Sequence, residues 1–331
     1  MKTNLILLMA TATTLFSCKK DNKLDVTPTT TVSTGPKYPV SFSASAFASQ
    51  TSAFGAQKTV TSVKQTTALK DDINYLTYVV VAAGDSLANI IKKVTQKSTD
   101  ANFGTIRDTL PNGNYTVYFM GATRKSMTLE SIGNSSFPDP EDPPSLIHHI
   151  FVSDGGNIFR GDTIGDIFVK VLNIKVESRT NTDVVMERLV SKIQVVIQDA
   201  IPANVVRLEC RWDGFVGAYD PLRNVTHPGF GSGFPTMVYN HTIVPADIGK
   251  KGFTFSTTDF PGGGHYIILN GYTATDDYLP TYSRLVLDNF PAFKSNTMIT
   301  FSGTRFDNSS STNVTVNPTW GPGTTLPFTD Y

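Results

Sequence analysis

The chain is divided into short apolar runs, and most alternate with a period of two residues rather than 3.6. Tyr38–Phe47 places Val40, Phe42, Ala44 and Ala46 on one side and Ser41, Ser43 and Ser45 on the other, the alternation of a half-buried strand. Tyr75–Ala82 reads Tyr-Leu-Thr-Tyr-Val-Val-Val-Ala, more continuously apolar, as a strand covered on both faces would be. Leu110-Pro-Asn-Gly-Asn114 predicts a turn feeding a strand over Tyr115–Met120, because Pro presets φ and Gly is free to take positive φ. In Val184–Gln198, Leu189, Ile193, Val195 and Ile197 face one way and Lys192, Gln194 and Gln198 the other, which fits one strand or a pair of strands better than a helix. Further strand-like runs are Val205–Trp212, Tyr266–Asn270, Tyr282–Leu287, Met298–Phe301 and Val314–Val316. Gly, Pro, Asn and Asp clusters separate them and helical periodicity is scarce, so the pattern predicts an all-β chain built of β-sandwiches.

The first residues depart from this pattern. Met1-Lys2-Thr3-Asn4 precede an apolar run, Leu5–Phe16, that ends at Ser17-Cys18 and gives way to Lys19-Lys20-Asp21. The run is shorter than the roughly 20 apolar residues of a membrane-spanning helix and has the length, positive start and small terminal residue of a signal peptide, assigned to residues 1–17. Leu15-Phe16-Ser17-Cys18 resembles the bacterial lipobox, although Phe16 is bulkier than that pattern usually shows. The resemblance implies that Cys18 is lipidated, becomes the first residue after cleavage and holds the protein on a membrane. Residues 18–37, rich in Lys, Asp, Thr, Ser and Pro, read as a tether. The polar stretch Glu177–Thr182 separates two strand-rich blocks, giving an expected N-terminal sandwich over 38–180 and a C-terminal one over 181–331. Ser131–Ser145 and Pro228–Pro235 read as loops.

Charge narrows the partners. With 28 basic and 28 acidic residues and a pI near 7.0, the chain has no global electrostatic attraction for nucleic acid or anionic lipid. A composition 40% hydrophobic and 11% aromatic is sufficient for real cores. Of the two cysteines, Cys210 is left without an intramolecular partner once Cys18 is lipidated, and is expected to be a small buried apolar residue.

No constellation carries catalysis. His148 and His149 are adjacent, so on a strand they point to opposite faces and cannot chelate together; His227, His241 and His265 lack flanking ligands at metal spacing. Gly231-Ser232-Gly233 fails the nucleophile-elbow pattern because Phe230 stands where its first Gly belongs, and Gly262-Gly263-Gly264 is not followed by the Lys and Ser/Thr of a phosphate loop. Asp71-Asp72, Asp139 to Asp142 and Asp276-Asp277 lack the alternating spacing of a calcium loop and read as solvated turns. No enzyme activity, catalytic residue, metal or cofactor is therefore expected. Trp212 and Trp320 are expected in the core, with an aromatic sugar-stacking platform as the rival reading.

Taken in order, the lipobox, the tether, the run Tyr75–Tyr78 leading to Gly84-Asp-Ser-Leu87, the segment Leu110-Pro-Asn-Gly-Asn-Tyr-Thr-Val117 and the segment Met186-Glu-Arg-Leu-Val-Ser-Lys-Ile-Gln-Val195 resemble the fimbrillin-like lipoproteins of Bacteroidetes. These build or anchor protease-assembled (type V) pili. The resemblance implies two tandem transthyretin-like β-sandwich domains, no enzymatic activity, pilin subunits as partners through strand exchange, and a lipid-anchored, surface-exposed place on the outer membrane. In shaft members an arginine-specific protease cuts behind the first strand and a neighbour's strand fills the vacated groove. Here no arginine occurs before Arg107, so the resemblance implies an anchor-type or accessory subunit of cell adhesion that keeps its lipid, unless it is cut at Lys58 or Lys64. A carbohydrate-binding surface lipoprotein of a glycan-uptake system, with a host or other glycan as ligand, is the alternative. Asp85-Ser86-Leu87, Asp108-Thr109-Leu110 and Asp162-Thr163-Ile164 match the triplet at which Bacteroidetes O-glycosylate exported proteins, implying Ser86, Thr109 and Thr163 as modification sites.

Overall fold

A computed structural model of the chain describes residues 35–45, 68–85, 88–133, 148–153, 164–213, 216–228, 237–262, 266–274, 280–287, 294–306, 312–317 and 324–327. Their regular secondary structure is almost entirely strand; the helical exceptions include a single turn, α1 (Leu69–Asp72), and a 3-10 turn at Pro245–Asp247. No helix among the described residues is long and apolar enough to cross a membrane.

The strands form five sheets. In sheet A, β1 (Lys37–Ser45) is the middle strand, with β4 (Thr105–Pro111) antiparallel on one side and β9 (Thr180–Val185) parallel on the other. Sheet B runs β10 (Glu187–Arg188), β8 (Ile167–Val176), β5 (Gly113–Ala122), β2 (Tyr75–Ala82), β3 (Ile90–Lys97), with every neighbour antiparallel. Sheet C runs β14 (Val225–Pro228), β13 (Val216–Asp220), β7 (His148–Ser153), β6 (Thr128–Gly133). Sheet D runs β16 (Phe253–Asp259), β11 (Ser191–Ile197), β19 (Met298–Gly303), β20 (Thr312–Asn317), β21 (Thr324–Pro327), and sheet E runs β15 (Met237–Thr242), β12 (Arg207–Asp213), β17 (Tyr266–Tyr272), β18 (Tyr282–Leu287).

Alternation along the central strands fixes the layering. On β2, Leu76, Tyr78 and Val80 share a core with Val40 and Phe42 of sheet A, while Val79 and Val81 share another with Leu129, Ile150 and Val152 of sheet C. On β5, Tyr115, Val117 and Phe119 divide from Tyr118, Met120 and Ala122 in the same way. Sheet B is thus the middle of three layers, which is why β2 reads as continuously apolar. The second of these cores continues into the space between sheets D and E, where Ile193, Val195, Ile197 and Phe301 meet Leu208, Cys210, Trp212 and Leu269. The expected faces of β11 are the observed ones: Ile193, Val195 and Ile197 are buried, Lys192 and Gln194 half-buried.

Two local features refine the sequence reading. The Leu110–Asn114 turn is a corner between sheets A and B, not a hairpin within one sheet. Its Tyr115 hydroxyl donates to Pro111 O at 2.9 Å and its Asn112 N–H donates to Pro36 O at 2.9 Å, the same hydroxyl-to-upstream-backbone device as a tyrosine corner. Gly113 keeps a negative-φ backbone, and a Cβ there would stand 3.3 Å from the Tyr115 hydroxyl, a tight contact at the corner. The polar stretch read as a break after Val176 includes the start of β9, an edge strand of sheet A, where polar side chains are tolerated because one flank and one face meet water.

Sheet C is composite. Its β13 and β14 belong to the excursion between β12 and β15, yet β13 pairs with β7 from the first half, Tyr219 opposite Val152 and Ala218 opposite Ser153.

Candidate functional site

The candidate site is the groove in sheet A that β1 fills. Backbone pairing runs from Lys37 opposite Pro111 to Ser43 opposite Thr105 on one edge and from Val40 opposite Thr180 to Ser45 opposite Val185 on the other. Beneath the strand, Val40 and Phe42 are each 1% exposed. The Phe42 ring lies 5.2 Å from Phe119 and 5.5 Å from Tyr78, which is itself 5.5 Å from Phe119, a triad of tilted and edge contacts. Burial first, and the neighbouring Asp108 carboxylate second, push the Tyr78 phenol far above its ordinary range, so it stays neutral. Lys92 on β3 reaches Asp108 on β4 at 3.1 Å and ties the edges of sheets A and B. Taking β1 away would leave two rows of unpaired backbone groups around an apolar slot, the arrangement that accepts a strand. In this chain the slot is filled by its own strand. The first arginine, Arg107, sits opposite Ser41 inside the β1–β4 ladder.

The other predicted positions scatter. Cys18, Ser86, Thr163, Lys58, Lys64, His265, Trp320, the Gly231–Gly233 segment, Asp139 to Asp142 and Asp276-Asp277 lie outside the described residues. Thr109 is exposed on β4, and its N–H donates to Asp108 Oδ1 at 2.8 Å. Asp71 accepts the Ala68 N–H at the start of α1. His148 and His149 open β7 and His227 lies on β14. Among the described residues no three His, Cys, Asp or Glu side chains come together around a metal-sized space. Cys210 is wholly buried on β12, where burial and then the Glu209 charge raise its thiol well above its ordinary value. Trp212 is 3% exposed, edge-on to Tyr239 at 6.4 Å, so it is a core residue and not a stacking platform.

His241 has a structural partner. Its Nε2 lies 2.9 Å from Asp247 Oδ2, which also accepts the Val244 N–H at 3.2 Å; Lys250 lies 3.4 Å from Oδ1. The imidazole first, then the Val244 N–H, hold the Asp247 carboxyl below its ordinary value against its own desolvation. A depressed carboxyl contributes stability that is present above the unfolded pKa of about 4 and lost as pH falls through the folded pKa. Urea midpoints measured between pH 5 and pH 3 are expected to fall more steeply for the natural chain than for Asp247→Asn; parallel curves would show that the cluster contributes nothing.

One feature had no sequence signal. A cleft of about 540 Å³ opens where β10 meets the β13–β14 hairpin and the segments at 261–262 and 294–295, lined among others by Glu187, Asn224, Thr226, Lys294 and Ser295. Its residues come from five separate stretches of chain, and no single stretch signals a cleft.

No family model matches the chain, and no curated protein matches it. Solved structures do. A candidate polysaccharide-binding protein from Bacteroides thetaiotaomicron superimposes with a TM-score of 0.51 at 10% identity, covering 88% of this chain and 99% of its own. A candidate adhesin from the same organism gives 0.50 at 11% identity, covering 89% and 99%. The fimbrial anchor protein Mfa2 from Porphyromonas gingivalis overlaps more loosely, at 0.42 and 11% identity over 85% and 98%. At such identities the likeness of the first two is one of fold: the all-β sandwich architecture expected from the pattern is shared with them along nearly their whole length.

Proposed function

We propose that the protein is a non-enzymatic, lipid-anchored surface subunit of the fimbrillin-like class, two sandwiches in tandem, which serves cell adhesion as the fixed end of a pilus. One observation carries the reading: β1 is hydrogen-bonded along both edges, and the first arginine of the chain lies within the ladder that holds it, opposite Ser41. An arginine-specific protease therefore has no site between Cys18 and β1, and the first site it meets is in a paired strand. A subunit whose groove is filled by its own strand does not need an incoming one there, which suits a terminus and not a shaft. The adhesin-named neighbour supports an adhesive role.

The test follows the lipid. Native protein labelled with palmitate in the cell and tagged at its C-terminus is treated with an arginine-specific protease. The label is expected to stay on a polypeptide that still contains β1 and β4, whatever happens at the later arginines. Release of a labelled fragment that lacks β4, or a cut at Lys58 or Lys64 in the cell, would place the chain with the shaft subunits. The neighbour described as polysaccharide-binding favours a second reading, a glycan-binding surface lipoprotein of an uptake system; retention of the native protein on an insoluble glycan, with no association with pilins, would select it.

A further inference from the structure

We propose that the cleft between β10, the β13–β14 hairpin and the 294–295 segment binds a sugar residue of a neutral glycan. The inference does not depend on the anchoring role, since no residue of β1 lines the cleft. About 540 Å³ falls within the range of small-ligand sites.

The lining carries both senses of hydrogen bond. Glu187 offers a carboxylate, Lys294 an ammonium, and Thr226 and Ser295 hydroxyls that donate or accept. Asn224 accepts the Tyr219 hydroxyl on its Oδ1, which leaves its Nδ2 donor without a partner among the described residues. Val169, Leu189 and Pro261 supply apolar wall for the C–H face of a ring. Hydroxyl-rich rings need such a mixture, since each hydroxyl both donates and accepts.

Charge in the wall is largely spent. Arg188 is bound to Asp166 through Nε at 3.0 Å and Nη2 at 3.3 Å and lies over the Phe168 ring at 4.8 Å, while Glu187 pairs with Lys170 at 2.8 Å. Among the described residues a single cation of the lining, Lys294, shows no ion pair, too little to select a polyanion.

The polar groups are also held in place. Asn224 is fixed at φ +60° with its N–H on Asp220 O at 2.9 Å, and Tyr219 stacks on Phe260 at 6.3 Å. Gly262, at φ +103°, lets the chain pass so close to Thr226 that a Cβ would stand 2.4 Å from the Thr226 hydroxyl. Groups preset in this way lose little freedom on binding.

The experiment is saturation-transfer NMR on the full mature chain with glucose, galactose, mannose and N-acetylglucosamine as probes. At least one is expected to bind, and Lys294→Met and Asn224→Asp are each expected to weaken it by about tenfold, the scale of one charged or shared hydrogen bond. Asn224→Asp keeps both the acceptor for Tyr219 and the tolerance of positive φ, and thermal unfolding checks that each variant is folded. Lys97→Ala, on the far edge of sheet B, should bind as the natural chain does. Transfer to none of the four sugars, or binding that survives both cleft variants, would overturn the proposal. Either result leaves the palmitate and protease outcome untouched.

Discussion

Deleting the chain through Ser45 is expected to destroy the packing of sheet A on sheet B, and a peptide of residues 37–45 added in trans is expected to restore it. The deletion removes Val40 and Phe42, both 1% exposed, from a core whose aromatic triad depends on Phe42. Truncating one buried Phe to Ala costs about 3–5 kcal/mol. Loss of the strand adds a second buried side chain and strips hydrogen-bond partners from both β4 and β9. Set against a typical total of about 5–15 kcal/mol, little cooperative stability would remain. The truncated protein should bind a hydrophobic dye and lose its near-ultraviolet circular dichroism while keeping strand signal. The peptide should reverse both, and its Phe42→Ala version should not, because the slot reads that side chain. A truncated chain that melts within a few degrees of the intact one would show that β1 is an ornament on sheet A and would remove the basis for the anchoring role.

The same comparison shows which parts of the molecule the sequence made legible. β1 and β11 are readable because each has a buried face beneath a regular alternation, and β2 because three layers bury it twice. β3, Ile-Ile-Lys-Lys-Val-Thr-Gln-Lys, was not singled out: it is an edge strand whose lysines face water, so its composition looks like that of a loop. The polar start of β9 carries no such signal for the same reason, and its partner β1 lies far earlier in the chain, Val40 opposite Thr180. Sheet C could not be foreseen, since β7 and β13 are joined only by a long-range contact that leaves no local pattern. The sequence shows no arginine before residue 107, and only the fold shows that Arg107 lies inside the ladder that holds β1. Cleft residues such as Asn224 and Lys294 are ordinary polar residues until the fold brings five segments together.

Trp212 supplies the second large effect and decides between two uses of an aromatic side chain. A sugar platform is exposed, and its replacement by Ala weakens binding while leaving stability nearly unchanged. A core Trp behaves in the opposite way. Trp212, 3% exposed in the core between sheets D and E, is expected on replacement by Ala to lose about 3–5 kcal/mol. The chemical-denaturation midpoint should drop with the slope unchanged. Trp212→Phe should recover part of that loss for two separable reasons. It refills much of the volume against Tyr239, and it removes an indole N–H that finds no hydrogen-bond partner among the described residues, a burial that costs about 1–3 kcal/mol where it goes unmet. The order of stability should therefore be natural chain, then Phe, then Ala, with the Phe variant much nearer the first than the last. If instead Trp212→Ala keeps the natural midpoint and loses affinity for a glycan, the ring is a binding surface and the core between sheets D and E is not packed as described.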